Sequence, residues 1–501
     1  MCGVVWRGQI LSIRTGQPNW KRDEGGPERR TDECLSASWR LPDSSEPGVE
    51  GRVELPADGL IWLDLRSDPW QAIASGEHPA GPRILFGEAA GGAPVTLYGA
   101  RFLGGERALF GGEALVRYLA DSVITGVHAE SEEEISLPSI RVSFRGLREW
   151  LMGWTQDTSI PLPVVRPSTD PEEAETTSKE EWLRALSFDI DAVRVSAFVG
   201  KTPARTGRFH TVYEARAWLQ LATDEPMSLV EWRRRWIEPL RDLVLFGTRE
   251  QTIVLSLSAP PSEPGARNVK VYKAPDVSIS PPDHVEYHQR DLLPAGIWGE
   301  DGFAALITNW RGLHEQLGPV GQAMFEVWNT VDMPPLTRLL RLTSCAEGYH
   351  RALHDEPPFT PQVHDELVEA MLSSLPDDKE TRSHYRARLR HANSQSQRAR
   401  IRWLINRIVE IDSRLVGQGA ALTSRLVDWR NDHTHLDGEI TAPPLDDLLL
   451  LNAVLTYVLE ANVLLDLGLA EDTRYCLACG HVWDDPIPTW LDSISHRESL
   501  R

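Results

Sequence analysis

The stretch DWRNDHTHLDGE, Asp428 to Glu439, packs an arginine, an asparagine, two histidines and several acids into twelve residues. Three readings compete for it. His433, His435 and Asp437 are spaced like metal ligands. Arg430 and His435 could grip and cut a phosphodiester. A solvated helix end would need no chemistry at all. The flanking text narrows the choice of fold. Helical periodicity runs from about residue 300 up to this stretch, through FAALITNWRGLHEQLGPVGQAMFEVWNT, PLTRLLRLTSCAEGYHRALHD, TPQVHDELVEAMLSSL and RSHYRARLRHANSQSQRARIRWLINRIVEI. After it comes PPLDDLLLLNAVLTYVLEANVLLDLGL, the most hydrophobic segment of the chain, opened by Pro443 and Pro444 and followed by Gly468. That segment is apolar nearly all round and belongs at the centre of a bundle. Asp446, Asp447, Asn452, Glu460, Asn462 and Asp466 interrupt it, which a bilayer would tolerate poorly. Residues 301–470 therefore read as an all-α bundle, and no membrane partner is expected.

The metal reading has H-x-H-x-D in its favour. Enzymes of the metallo-β-lactamase type carry a further histidine after the aspartate, where this chain has Gly438, and they hold the motif after a strand. The phosphate reading rests on two side chains. Arginine stays charged and holds two phosphoryl oxygens with its planar fork. Histidine titrates near neutral pH and serves as general acid or base. RNA supplies its own nucleophile, the 2′-hydroxyl, so no metal is required. With 46 arginines and 15 histidines in 501 residues, about one R-x4-H match arises by chance, and Arg386 to His391 is a second. Residues five apart on a straight helix point about 140° away from each other. Convergence of Arg430 and His435 thus calls for a helix that ends or distorts between them, and Asp437-Gly438 with the loop to Pro444 offers such an ending. Arg386 to His391 reads as the interior of one unbroken helix.

A formal charge of −21 excludes indiscriminate binding of nucleic acid by the whole surface. The charge is segregated, however. From Glu380 to Arg430 eleven arginines stand against four acids. Within that span Arg398, Arg400 and Arg402 are candidates for holding RNA, a solvated charged helix being the plainer alternative. Five cysteines give no disulfide framework, and neither a membrane span nor a signal peptide is legible, so a cytoplasmic location is expected.

Residues 1–160 read as short strands and turns, in VELPADGLIWLDL, APVTLYGARFL and SIRVSFRGLREWL. Residues 161–184 are rich in proline and acid and read as a linker or exposed loop. Residues 185–300 resume an α+β text, with IDAVRVSAFVG and QTIVLSLSA around a helix, SLVEWRRRWIEPLRDLVLFG. The fold class is α+β, a β-rich N-terminal region followed by a helical bundle. The eighteen tryptophans are expected in the core and at domain interfaces.

At this point the chain resembles a known family. An acid, one residue, then RN, two residues and TH describes Asp428 to His435 and resembles the Apea-like branch of the HEPN domains. LLRLTSCAEGYHRAL resembles that branch's first helix, with Glu347 as its inward-facing glutamate, and VLEANVLLDLGL resembles its closing helix. Upstream, GRVELPADGLIWLDL, ILFGEAAGGAPVTLYGARF and the text from Ala114 to Leu151 resemble the β-rich domain that accompanies such HEPN domains. The likeness spans most of residues 35–470. It implies a metal-independent endoribonuclease of bacterial abortive infection, cutting tRNA or other RNA when a phage protein triggers it. Arg430 would stabilise the phosphate, His435 would be the general acid/base and Asn431 would orient the pair. Asp428, His433 and Glu347 would support them. A homodimer or higher oligomer would bring two motifs together, because one histidine cannot serve as acid and base in one step. The N-terminal region would be the sensor. The alternative is a non-catalytic sensor or binding module.

Residues 471–501 form a tail. CLACGHVW, with Cys476, Cys479 and His481, resembles one knuckle of a zinc ribbon, which suits a structural zinc completed by another ligand. No cofactor is expected for catalysis.

Overall fold

The computed structural model describes residues 33–44, 48–55, 60–66, 83–106, 115–148, 150–151, 181–206, 211–260, 267–273, 299–390, 392–409, 411–412, 415, 417–435 and 444–469. In the N-terminal part, alternation of apolar and polar residues builds strands with one face inward. β1 (Glu33–Arg40), β2 (Val49–Leu55), β3 (Ile61–Leu65), β4 (Arg83–Ala89), β5 (Ala93–Glu106) and β6 (Leu115–Ala120) run in the order β4-β1-β2-β3-β6-β5. A further β4–β5 pairing, Arg83 opposite Ala100 through Ala89 opposite Ala93, closes these six strands on themselves as a small antiparallel barrel. Its interior is its own core, with Trp39, Val53, Leu63, Leu65, Leu85, Val95 and Leu97 fully buried.

β7 (Ser122–Thr125) carries the sheet out of the barrel by pairing with β13 (Val269–Lys273). The order continues through β12 (Val254–Ala259), β8 (Ser136–Phe144), β11 (Thr211–Ser228), β10 (Val193–Thr206) and β9 (Glu181–Ile190), thirteen strands among the described residues. Strands from before and after the proline-rich stretch thus share one hydrogen-bonded sheet. Of the expected linker 161–184, residues 161–180 lie outside the described residues, while Glu181–Arg184 already belong to β9.

Ser228 starts the first helix with a reciprocal cap: its hydroxyl accepts from the Glu231 amide, and the Glu231 carboxylate accepts from the Ser228 amide. Helix α1 (Leu229–Trp232) passes through a wider π turn, Arg233–Ile237, into α2 (Glu238–Thr248). The bundle follows: α3 (Gly299–Leu317), α4 (Pro319–Asn329), α5 (Pro335–His354), α6 (Pro361–Ser373), α7 (Lys379–Leu389), α8 (Gln397–Val409), α9 (Gly419–His435) and α10 (Leu445–Asp466). α10 is the bundle's axis, with nearly every residue from Leu451 to Leu464 buried. It is long and apolar enough to cross a membrane by length and composition, yet most of it is packed inside the protein. α5 approaches α4 so closely that a Cβ on Gly348 would meet Val320 at 2.9 Å, which fixes glycine there.

The sheet and bundle share one core. Phe303 of α3 packs on Trp150 and Phe188 at 5.2 and 5.9 Å between ring centres, and Phe246 of α2 meets Trp310 and Trp328. The Trp310 indole donates to the Pro239 carbonyl at 2.7 Å. Tryptophans 39, 150, 232, 236 and 310 are fully buried, the role expected of them. Polar links cross the same boundary. Arg249, in the left-handed conformation that ends α2, reaches Glu460 of α10 with two hydrogen bonds of 2.6 and 3.1 Å. Asn329 of α4 exchanges two hydrogen bonds with the Thr252 backbone, at 2.7 and 3.0 Å.

Candidate active site

Helix α9 carries the quoted motif, and it is held from two sides. Arg398 of α8 donates to Ser424 and to Asp428, both at 2.7 Å, and Arg425 donates to Asp447 of α10 at 3.1 Å. The backbone stays helical through His435, so no helix end falls between Arg430 and His435. This corrects the expectation that the chain breaks there. A rotation of about 100° per residue puts positions 428, 431, 432 and 435 along one stripe, with position 430 about 140° away from 435. One contact bridges the gap. The Arg430 Nη1 donates to Asn431 Oδ1 at 3.1 Å, which draws the guanidinium toward the stripe that carries position 435. The side chains of Asp432 to His435 lie outside the described residues, as does everything from Leu436 to Pro443, so His433, His435 and Asp437 are located only by the chain they sit on.

Of the three arginines expected to hold RNA, Arg402 is exposed and Arg398 is half-buried. Arg400 is the exception. It is 1% exposed, ion-paired to Asp355 at 2.8 Å, bonded to the Gln395 carbonyl and 3.4 Å from His350 Nδ1. A guanidinium so enclosed braces α8 against the end of α5 and offers nothing to a phosphate. Asp428 pairs with Arg398 at 2.7 Å. Glu347 is half-buried and pairs with Arg351 one turn on, at 2.6 Å. The rival pair also changes status: α7 ends at Leu389, so Arg386 and His391 do not share an unbroken helix, and His391 lies outside the described residues. Helix continuity therefore does not separate these two motifs; the Arg430–Asn431 contact and the packing of α9 against α8 and α5 do.

A second polar cluster, which the motif search passed over, lies where α5, α8 and α10 meet. Asp466 accepts from Tyr349 at 2.5 Å and from Arg407 at 2.6 Å, with His354 Nε2 at 3.0 Å. Arg407 also reaches Asn462 and lies over the Trp403 ring, which meets the His354 ring at a tilt, 4.5 Å between centres. Burial alone would raise the Asp466 carboxyl, but the hydrogen bonds from His354, Arg407 and Tyr349 bring it down to about 2. His350, fully buried against Trp403, is pushed down to about 4 by burial and by the Arg400 and His354 charges. Asn462 and Asp466, one turn apart on a mostly apolar helix, were the sequence signal for this cluster. It braces the bundle and leaves the α9 motif to the other end of α10.

Cys476, Cys479 and His481 lie outside the described residues. Among the described residues no group of three histidine, cysteine or acidic side chains is arranged to hold a metal ion.

Two family models match the chain: ApeA N-terminal domain 1 over residues 35–310 and Apea-like HEPN over residues 340–473. The first ends inside α3, and the second covers α5 to α10, including the quoted motif. No curated protein and no solved structure matches.

Proposed function

The chain belongs to the Apea-like HEPN family, with an ApeA N-terminal domain ahead of its HEPN helices, and on that premise we propose that it is a defence endoribonuclease. The single observation that carries the reading is the Arg430–Asn431 hydrogen bond on a helix that runs unbroken to His435. In this mechanism Arg430 spans two phosphoryl oxygens and stabilises the charge that builds on them. His435 takes the proton from the 2′-hydroxyl, and the 2′-oxygen attacks the adjacent phosphorus. The bond from phosphorus to the 5′-oxygen breaks, and that oxygen receives a proton. The products are a 2′,3′-cyclic phosphate and a 5′-hydroxyl, and no water is consumed.

The proton that reaches the leaving oxygen needs a second acid. Positions 430 and 435 of one helix diverge by about 140°, which supports a site built from two copies of α9. A homodimer would supply one His435 as base and the other as acid. The ApeA domain shares its core with the bundle and reaches α10 through Arg249, which supports a sensor whose engagement with a phage protein alters the helices. tRNA is the substrate we favour.

The test compares wild type with His435→Ala in cells, with and without phage, following growth and running total tRNA on a denaturing gel. Cleaved tRNA and arrested growth in infected wild-type cells, absent in the variant, are expected. Phage protection that persists in the variant with tRNA intact would leave a sensor or binding module instead.

A further inference from the structure

Helix α7 buries none of its residues. A helix with no inward face is held by what its polar side chains reach, and among the described residues Arg382 and Arg386, on one side of α7, make those longer-range contacts. Arg386 pairs with Glu369 of α6 at 2.8 Å, and Arg382 pairs with Asp377 and donates to the Leu375 and Pro376 carbonyls. Asp378 caps the amides of Glu380 and Thr381. The other side carries Thr381, His384, Tyr385 and Arg388, spaced i, i+3, i+4 and i+7 and so aligned on one face. His384, Tyr385 and Arg388 are all exposed, the two rings meeting edge to face at 5.6 Å. Tyr385 is 46% exposed, a large aromatic side chain left in water. Arg388, Arg390 and Arg402 have no ion-pair partner among the described residues.

This face is the reverse of the chain's average character. The protein carries a formal charge of −21, yet from Lys379 to Arg390 there are four arginines and a lysine against one acid. Arg390 then leads, through residues 392–396, to Arg398 and Arg402 on α8, and Arg398 is bonded to Asp428 on the motif stripe of α9. Exposed arginines therefore stand at Arg388 and Arg390 at the end of α7 and at Arg402 on α8, the helix that packs against α9.

We propose that the His384–Tyr385–Arg388 face of α7 is a binding platform for unpaired nucleotides of an RNA whose cleavage site lies at α9. This rests on the ribonuclease reading and adds a substrate class to it, RNA with single-stranded loops or ends rather than continuous duplex. An aromatic ring left in water beside an arginine fits an unstacked base, which offers a π face to Tyr385 and His384 and a phosphate to Arg388 and Arg390. Continuous A-form duplex keeps its bases stacked inside and gives such a face nothing to stack on.

The experiment is fluorescence anisotropy on the full-length protein, carrying His435→Ala so that the probe stays intact. The probes are a 5′-labelled unstructured 20-nucleotide RNA and a perfect RNA duplex of the same length. The expected result is binding of the single strand at least tenfold tighter than the duplex. Tyr385→Ala with Arg388→Ala should weaken it at least tenfold and flatten the salt dependence by about one ion's worth for the arginine removed. Neither side chain is in the core, so an unchanged thermal midpoint checks the fold. A double variant that binds the single strand like its parent overturns the platform, whereas tRNA cleavage by the protein with native α7 would still stand. If only self-association changes, by sedimentation, the face meets a second copy of the chain and the proposal fails. If the parent binds neither RNA and tRNA stays intact in infected cells, the ribonuclease reading itself is wrong.

Discussion

Asn431 stands between the two residues assigned to chemistry. Its amide oxygen holds the Arg430 guanidinium, and its position lies about 40° around the helix from His435. Asn431→Ala should therefore lower the cleavage rate by roughly tenfold to a hundredfold, with little change in stability, read as single-turnover cleavage of a labelled RNA. Arg430→Lys should lose nearly as much as Arg430→Ala, because a point charge does not replace a fork. The buried imidazole predicts a pH effect. His350 titrates at about 4 in the folded chain, below the ordinary histidine value, so between about pH 6.5 and 4 the unfolded chain takes up a proton that the native one does not. Stability is complete above that window and falls as the pH drops through it. Asp466 adds to the loss from about pH 4 down to about 2, the range in which its native carboxylate must be protonated. Urea midpoints measured from pH 7 to 4 should fall less in His350→Phe than in wild type. The residues of the candidate motif could be singled out in the sequence because they are contiguous. The separation of Arg400 from Arg402 was not, since the first is enclosed by Asp355 and His350 of another element and no local pattern reports that.

At the level of elements, the link between the β-rich region and the bundle runs through Arg249 and Glu460. Glu460 is 5% exposed, so removing its partner leaves a buried carboxylate without its counter-charge. Arg249→Ala should cost about 3–5 kcal/mol by denaturant unfolding, while Arg249→Leu with Glu460→Met should come back close to wild type. Most elements were readable from periodicity, above all α10, whose apolar circumference already demanded a central position. Two features were not. The closure of β4 on β5 joins strands by register, which alternation alone does not specify. The break between α7 and α8 falls in text without proline or glycine, LRHANSQSQ. There Asn393 exchanges two hydrogen bonds with the Phe359 backbone, at 2.8 and 3.0 Å, and this tertiary contact overrides the helical pattern.

Over the whole molecule, an acidic chain carries exposed arginines on α7 and at Arg402 of α8, the helix that packs on the motif helix, so RNA would be repelled by most of the surface and least there. A cleavage step driven by the 2′-hydroxyl needs no metal at the phosphate, and EDTA should leave the rate of cleavage unchanged. End-group analysis of tRNA fragments from infected cells carrying wild type, Arg430→Ala or His435→Ala decides whether the α9 motif cuts RNA. On the proposed mechanism wild type leaves 2′,3′-cyclic phosphate and 5′-hydroxyl ends, and tRNA stays intact in both variants. Fragments that persist in His435→Ala, or that carry 3′-hydroxyl ends, would contradict it.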